Sequence, residues 1–162
     1  MEQIHPQTII GHVHLKVSDL QASIKFYTEI LGFSLTQRYG SSAAFLSAGG
    51  YHHHIGLNTW ESKGGTPPPE GTTGLYHFAI LLPGRKALST LLRNLVEAGW
   101  PIDGAADHGV SEAIYFRDPD QNGIEIYVDR RENEWPRNPD GSLSMGTQAL
   151  DLEALLKLSD KD

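Results

Sequence analysis

The chain repeats itself. His12 stands five residues before Val17, and His77 stands five before Leu82. The helical stripes that follow end alike, at Ile30-Leu31-Gly32-Phe33 and at Glu97-Ala98-Gly99-Trp100. Self-similarity at a spacing of about 65 residues marks two copies of one supersecondary unit, each too small to bury its apolar face alone.

The first copy spans residues 9–60. Ile9–Val17 alternates, with Val13, Leu15 and Val17 on one face and His12, His14 and Lys16 on the other, which predicts a strand. Ser18 or Asp19 caps a helix whose stripe is Leu20, Ile24, Tyr27 and Leu31, and Gly32 ends it. Phe33–Tyr39, Ala43–Ala48 and Tyr51–Trp60 follow as strands. Glu61–Gly74, rich in Gly, Pro and Thr, is the linker between modules.

The second copy spans 75–129 and takes the same order. Leu75–Leu82 is a strand. Arg85–Ala98 is a helix with Leu88, Leu91, Leu92, Leu95 and Val96 inward, and Pro101–Asp107 holds a short strand. Ala113–Phe116 and Ile124–Val128 form a hairpin across the turn Asp118-Pro119-Asp120-Gln121-Asn122-Gly123. Each copy is β-α-β-β-β, so the class is α+β, with both modules in a single domain over 1–162. Residues 130–162 form a polar tail in which Asp151 caps a short helix carrying Leu152, Leu155, Leu156 and Leu158. That helix is expected to dock on the domain; a dimer contact is the alternative.

A net charge of −7 argues against a nucleic-acid partner, which calls for a basic face. The absence of cysteine excludes disulfides, thiolate chemistry and cysteine-ligated metals. No apolar run reaches membrane-spanning length and the start lacks a signal-like pattern, so a cytoplasmic protein with no membrane partner is expected.

Glu125 breaks the pattern of its strand. It lies between Ile124 and Ile126 and so faces away from Ile124, Ile126 and Val128. A carboxylate in an apolar strand needs a solvated face or a charge partner. His12 and His77, at equivalent places in the two copies, are natural companions if the copies pack about a pseudo-two-fold axis. Two imidazoles and one carboxylate suit Fe(II) with positions left open, and would also suit Mn, Ni or Zn. His14 shares the face of His12 and is the alternative ligand. In the run His52-His53-His54, strand alternation would put His52 and His54 on one face and His53 on the other. His108 and Tyr115 precede Glu125 and are candidate acid–base or substrate-binding groups.

These residues resemble the vicinal oxygen chelate superfamily, which includes glyoxalase I, bleomycin- and fosfomycin-resistance proteins and extradiol dioxygenases. The likeness rests on Gly11-His12-Val13-His14-Leu15-Lys16-Val17-Ser18-Asp19-Leu20, on Phe26-Tyr27-Thr28-Glu29-Ile30-Leu31-Gly32-Phe33, and on Asp118-Pro119-Asp120 followed by Ile124-Glu125. It covers residues 9–129 and implies paired modules forming an open, glyoxalase-like barrel. Within it, His108, Ile114-Tyr115, Asp118-Pro119 and Glu125 are similar to the extradiol pattern, with a departure at Gln121, where the pattern prefers Gly or Pro. The match implies His12, His77 and Glu125 as iron ligands, and His108 and Tyr115 as groups that bind and polarise the substrate. It also implies His53, before His54-Ile55-Gly56-Leu57, as the acid–base histidine, with His54 second. Glyoxalase I carries a fourth, carboxylate ligand on that strand, and none stands near Ile55-Gly56-Leu57.

The expected activity is therefore Fe(II)-dependent extradiol cleavage of a catechol-type diol, with an aromatic substrate and dioxygen as small-molecule partners and a homodimer as the assembly. A lyase or thiol transferase of the same fold is the alternative enzyme. A metal-free protein that sequesters a small molecule is the alternative outside catalysis.

Overall fold

The computed structural model describes residues 2–158, and the chain divides into two compact units between Thr66 and Pro67. In the first, β1 (Val13–Lys16) leads to α1 (Leu20–Lys25), then β2 (Ser34–Tyr39), β3 (Ala43–Ser47) and β4 (Ile55–Asn58). The strand order is β1-β4-β3-β2, with β1 parallel to β4 and the other pairs antiparallel. The second unit repeats this with β5 (Phe78–Leu81), α2 (Arg85–Glu97), β6 (Ile102–Asp107), β7 (Ser111–Arg117) and β8 (Gly123–Asp129). Its order is β5-β8-β7-β6, again with one parallel pair, β5 beside β8. The α+β class and the two βαβββ modules are thus what the chain adopts. Among the described residues, no helix is long and apolar enough to cross a membrane.

Asp19, not Ser18, is the cap of α1: its carboxylate accepts from the backbone N–H groups of Gln21 and Ala22 at 2.8 and 3.0 Å. The apolar stripe runs on, but as a π-helical turn over Phe26–Ile30. That wider turn leaves Phe26 and Tyr27 both buried, which a regular 3.6-residue stripe does not anticipate.

The strands are shorter than alternation predicts. His12 and His77 stand one residue before β1 and β5, outside the ladders. His52, His53 and His54 lie on the return from β3 to β4 and not on a strand. Alternation therefore does not govern which of them face together, because the chain spends Ala48–His54 on reversing direction.

In the second unit α2 lies on one face of the sheet. Leu88, Leu92 and Leu95 are fully buried there with Ile114, Phe116, Ile124 and Ile126. Each such side chain contributes about 1.5–3 kcal/mol. Val96, expected inward, is 52% exposed, because it sits one step past that stripe. The alternation of β8 buries Ile124, Ile126 and Val128 towards α2 and leaves Glu125 and Tyr127 on the opposite face. Buried Glu112 ties the two ends of this layer, accepting from Arg85 at 2.7 Å and from Arg130 at 3.1 Å.

The tail returns to the same unit. β9 (Gln148–Ala149) adds to the edge of β6, and α3 (Leu152–Leu156) follows, capped by Asp151. The helix docks on α2, as expected. Ser89 donates to the Leu155 carbonyl at 2.7 Å, Arg93 donates to the carbonyls of Leu156 and Leu158, and Leu155 is fully buried.

Candidate functional site

Sheet register brings the first two groups together. Tyr115 and Glu125 are directly opposed on β7 and β8, so their side chains share a face within reach of each other. The Tyr115 hydroxyl donates to Glu125 Oε1 at 3.0 Å. On the other side β5 runs parallel to β8 with Ala79 opposite Glu125. His77, at the approach to β5, places its Nε2 3.0 Å from Glu125 Oε2. Glu125 thus has a polar partner at each carboxylate oxygen.

Gly123 permits this approach. A Cβ there would fall 2.2 Å from the Tyr76 carbonyl oxygen and 3.1 Å from the His77 Cβ. The segment that carries His77 rests on the bare backbone of the start of β8.

His108, in the turn after β6, extends the line. Its Nε2 is 2.8 Å from the Tyr115 oxygen, and its Nδ1 is 2.9 Å from the Gly146 carbonyl oxygen. A carbonyl only accepts, so Nδ1 carries a proton. Tyr115 has one proton for two neighbours. A cavity of about 690 Å³ opens over this row, walled by His77, His108, Tyr115, Arg117 and Thr147 among others.

Burial pushes the Tyr115 phenol up to about 12, helped by its bond to Glu125 and by the charge there. The folded chain therefore keeps a proton between pH of about 10 and about 12 that the unfolded chain loses, so stability falls as pH rises through that window. Burial, with Asp129 and Glu125, raises Tyr127 as well. Titrating tyrosinate absorbance in metal-free protein is expected to show late-ionising tyrosines, one of which disappears in Tyr115→Phe. An unchanged late step in that variant would contradict the assignment.

The first unit gathers the other histidines. His12 is exposed, and its ring lies 4.5 Å from that of His53. His53 also meets Phe45 at 5.0 Å and His52, whose Nδ1 is 2.7 Å from its own. Burial lowers the His53 pKa, and the charges of His12, His52, His14 and His54 lower it further. His54 is tied to β3, with Nδ1 3.1 Å from Ser47 Oγ and 3.3 Å from the Ala48 N–H. His14 packs between Phe45 and Trp60 over Gly56, where a Cβ would come within 2.9 Å of its ring. Burial, then His12, lowers its pKa.

Of the expected site residues, the structure joins His77, Glu125, Tyr115 and His108 in the second unit, and His12 with His53 in the first. Among the described residues no three His, Asp or Glu side chains form a metal cluster. The pair His77–Glu125 does fit one ion. Two donors each roughly 2.1 Å from a metal and at right angles about it stand about 3 Å apart, which is their separation. Gly146 and Thr147 were not foreseen; a backbone carbonyl that orients a ring leaves no mark in sequence.

Register also locates the counterpart of Glu125 in the first unit. Phe78 pairs with Ile124 as Val13 pairs with Ile55, so Gly56 occupies the place of Glu125. The first unit offers no carboxylate there.

Comparison with known proteins agrees with this architecture. The family model described as Glyoxalase/Bleomycin resistance protein/Dioxygenase superfamily matches residues 9–126. The chain is 42% identical over 158 residues to a catechol-2,3-dioxygenase of Bacillus subtilis, covering 97% of this chain but 54% of that protein. It thus spans about half the length of that relative. It is 30% identical over 119 residues to the glutathione transferase FosA of Serratia marcescens, covering 74% of this chain and 79% of that one. A glyoxalase/dioxygenase structure from Nostoc punctiforme superposes with a TM-score of 0.66 at 23% identity, over 81% of this chain and 99% of that one. Fold, duplicated topology and family match agree: the chain belongs to the glyoxalase/bleomycin resistance protein/dioxygenase superfamily.

Proposed function

We propose that the protein is an Fe(II)-dependent extradiol dioxygenase acting on a catechol-type diol, with His12, His77 and Glu125 as the ligand set. The observation that carries this reading is the hydrogen-bonded row His77–Glu125–Tyr115–His108. On this reading a phenol stands beside the ligand carboxylate, where a substrate oxygen would need a donor. The ferrous ion, when bound, supplies coordination for both diol oxygens and for dioxygen.

The chain's own groups do the rest. Tyr115, held protonated up to about 12, donates to a substrate oxygen and does not take its proton. His108 supports that hydroxyl through Nε2. His53, whose pKa is lowered by burial and by its histidine neighbours, is the proton acceptor for the diol. The cavity of about 690 Å³ holds a single aromatic ring with room for substituents. The ring opens beside the diol and both oxygen atoms enter the product, so no external reductant is required.

A thiol transferase is the second reading. It is favoured by the FosA relative, of which the chain covers a larger share. Gly56 at the Glu125-equivalent place speaks against a four-ligand glyoxalase I site.

Protein purified without chelator or nickel resin is expected to hold about one iron per chain, and anaerobic Fe(II) loading should raise activity. Oxygen uptake should then match catechol consumed one for one. Nickel or zinc with thiol transfer, and no oxygen uptake, would replace the dioxygenase by the transferase. No metal and no uptake on reconstitution would leave a small-molecule-binding protein.

A further inference from the structure

The family match ends at residue 126, yet one link in the row described above comes from beyond it. Gly146 meets His108 twice. The His108 Nδ1–H donates to the Gly146 carbonyl at 2.9 Å, and the Gly146 N–H donates back to the His108 carbonyl at 3.2 Å. Thr147 adds a hydroxyl 3.4 Å from the same Nδ1 and lines the cavity.

The rest of the tail holds this contact in place. β9 pairs Gln148 with Asp107 and Ala149 with Ala106, on the strand that leads into His108. α3 is locked on α2 by Ser89 and Arg93. On the other side of the His108 turn Pro136 lies so close to Gly109 that a Cβ there would be 2.8 Å from its Cγ. The turn is thus clasped by two parts of the tail. Covering the edge of β6 explains Gln148 and Ala149. It does not explain a main-chain carbonyl aimed at a side-chain nitrogen one step outside the ladder.

We infer that the C-terminal tail belongs to the active centre: the Gly146 carbonyl positions His108 by holding its Nδ1 proton, so that Nε2 faces Tyr115. Gly146 is a positioning residue, acting through His108 and not on substrate. The inference rests on the proposed function for the role of His108, but the geometry it names is independent of which reaction is run.

The test uses the full chain with nitrogen-labelled histidine. In the parent protein, magnetic resonance should show His108 with a proton on Nδ1 that exchanges slowly with water. An ester in place of the Gly146–Thr147 amide weakens the Gly146 carbonyl as an acceptor and leaves the side chains unchanged. It should speed exchange of that proton and lower kcat about tenfold, the scale on which losing a partner that orients a functional group acts. KM should stay within about twofold and the melting temperature should be unchanged. Gly146→Ala keeps both backbone groups and has open space for its Cβ, so it should retain the signature.

A parent His108 without the Nδ1 proton overturns the inference, as does an ester-substituted protein that keeps both the signature and kcat. If the parent cleaves no catechol, the dioxygenase proposal fails while the resonance signature still decides the role of Gly146. If catechols are cleaved and the signature is missing, the proposal for the reaction stands and this one falls.

Discussion

His77→Ala is expected to abolish metal retention and ring cleavage while leaving the fold intact. On the proposed ligand set the variant loses one of two donors that already stand 3.0 Å apart. Losing an outer partner of a ligand costs 10–100-fold in affinity or activity, so losing the ligand itself should exceed roughly a hundredfold. The metal-free fold should hardly change. His77 lies before β5, outside the ladder, and its side chain is 31% exposed. Deleting it leaves Glu125 with Tyr115 as partner, at a cost of about 1 kcal/mol. Metal analysis alongside a melt distinguishes the outcomes. Unchanged metal content in a folded variant would remove His77 from the ligand set. Loss of fold would mean that its role is structural.

Gly123→Ala should do the opposite, harming site and fold together. The new methyl would meet the Tyr76 carbonyl at 2.2 Å, and that atom is backbone and cannot swing aside. Either the start of β8 or the approach to β5 must move. Overpacking of this kind costs about 1–3 kcal/mol. The move would also part His77 from Glu125, because both flank the contact. The expected result is a lower melting temperature together with weaker metal retention, although the substitution replaces no proposed ligand. A variant with parental stability and parental metal content would show that the segment yields without moving His77.

Much of this was legible in the chain. The duplication, the alternation around Glu125 and the turn at Asp118–Gly123 follow from local chemistry: periodicity, turn-forming residues and a carboxylate among isoleucines. Even the departure at Gln121 has a local cause. It is the one non-glycine residue with positive φ among those described, at 65°, which is why a glycine suits that place. The conformation is held because Asp118 accepts from the N–H groups of Asp120 and Asn122 and from the Asn122 side chain.

Other features were not legible, and for physical reasons. Strand ends depend on which neighbours complete the ladder, so alternation ran past them and put His12, His77 and the histidine triplet on strands. The different surroundings of these histidines are tertiary: Ser47 and Ala48 hold His54, while the His53 ring lies against that of His12.

By itself the sequence determined the repeated topology, the class of fold and the residue types able to hold a metal, because these depend on spacing along one chain. Only the tertiary structure decided that His77, Glu125, Tyr115 and His108 form one hydrogen-bonded row, and that a carbonyl 38 residues beyond His108 joins it. Hydrogen bonds at 3 Å are set by cross-strand register and by the return of the tail, and neither is encoded in the spacing of the residues they join.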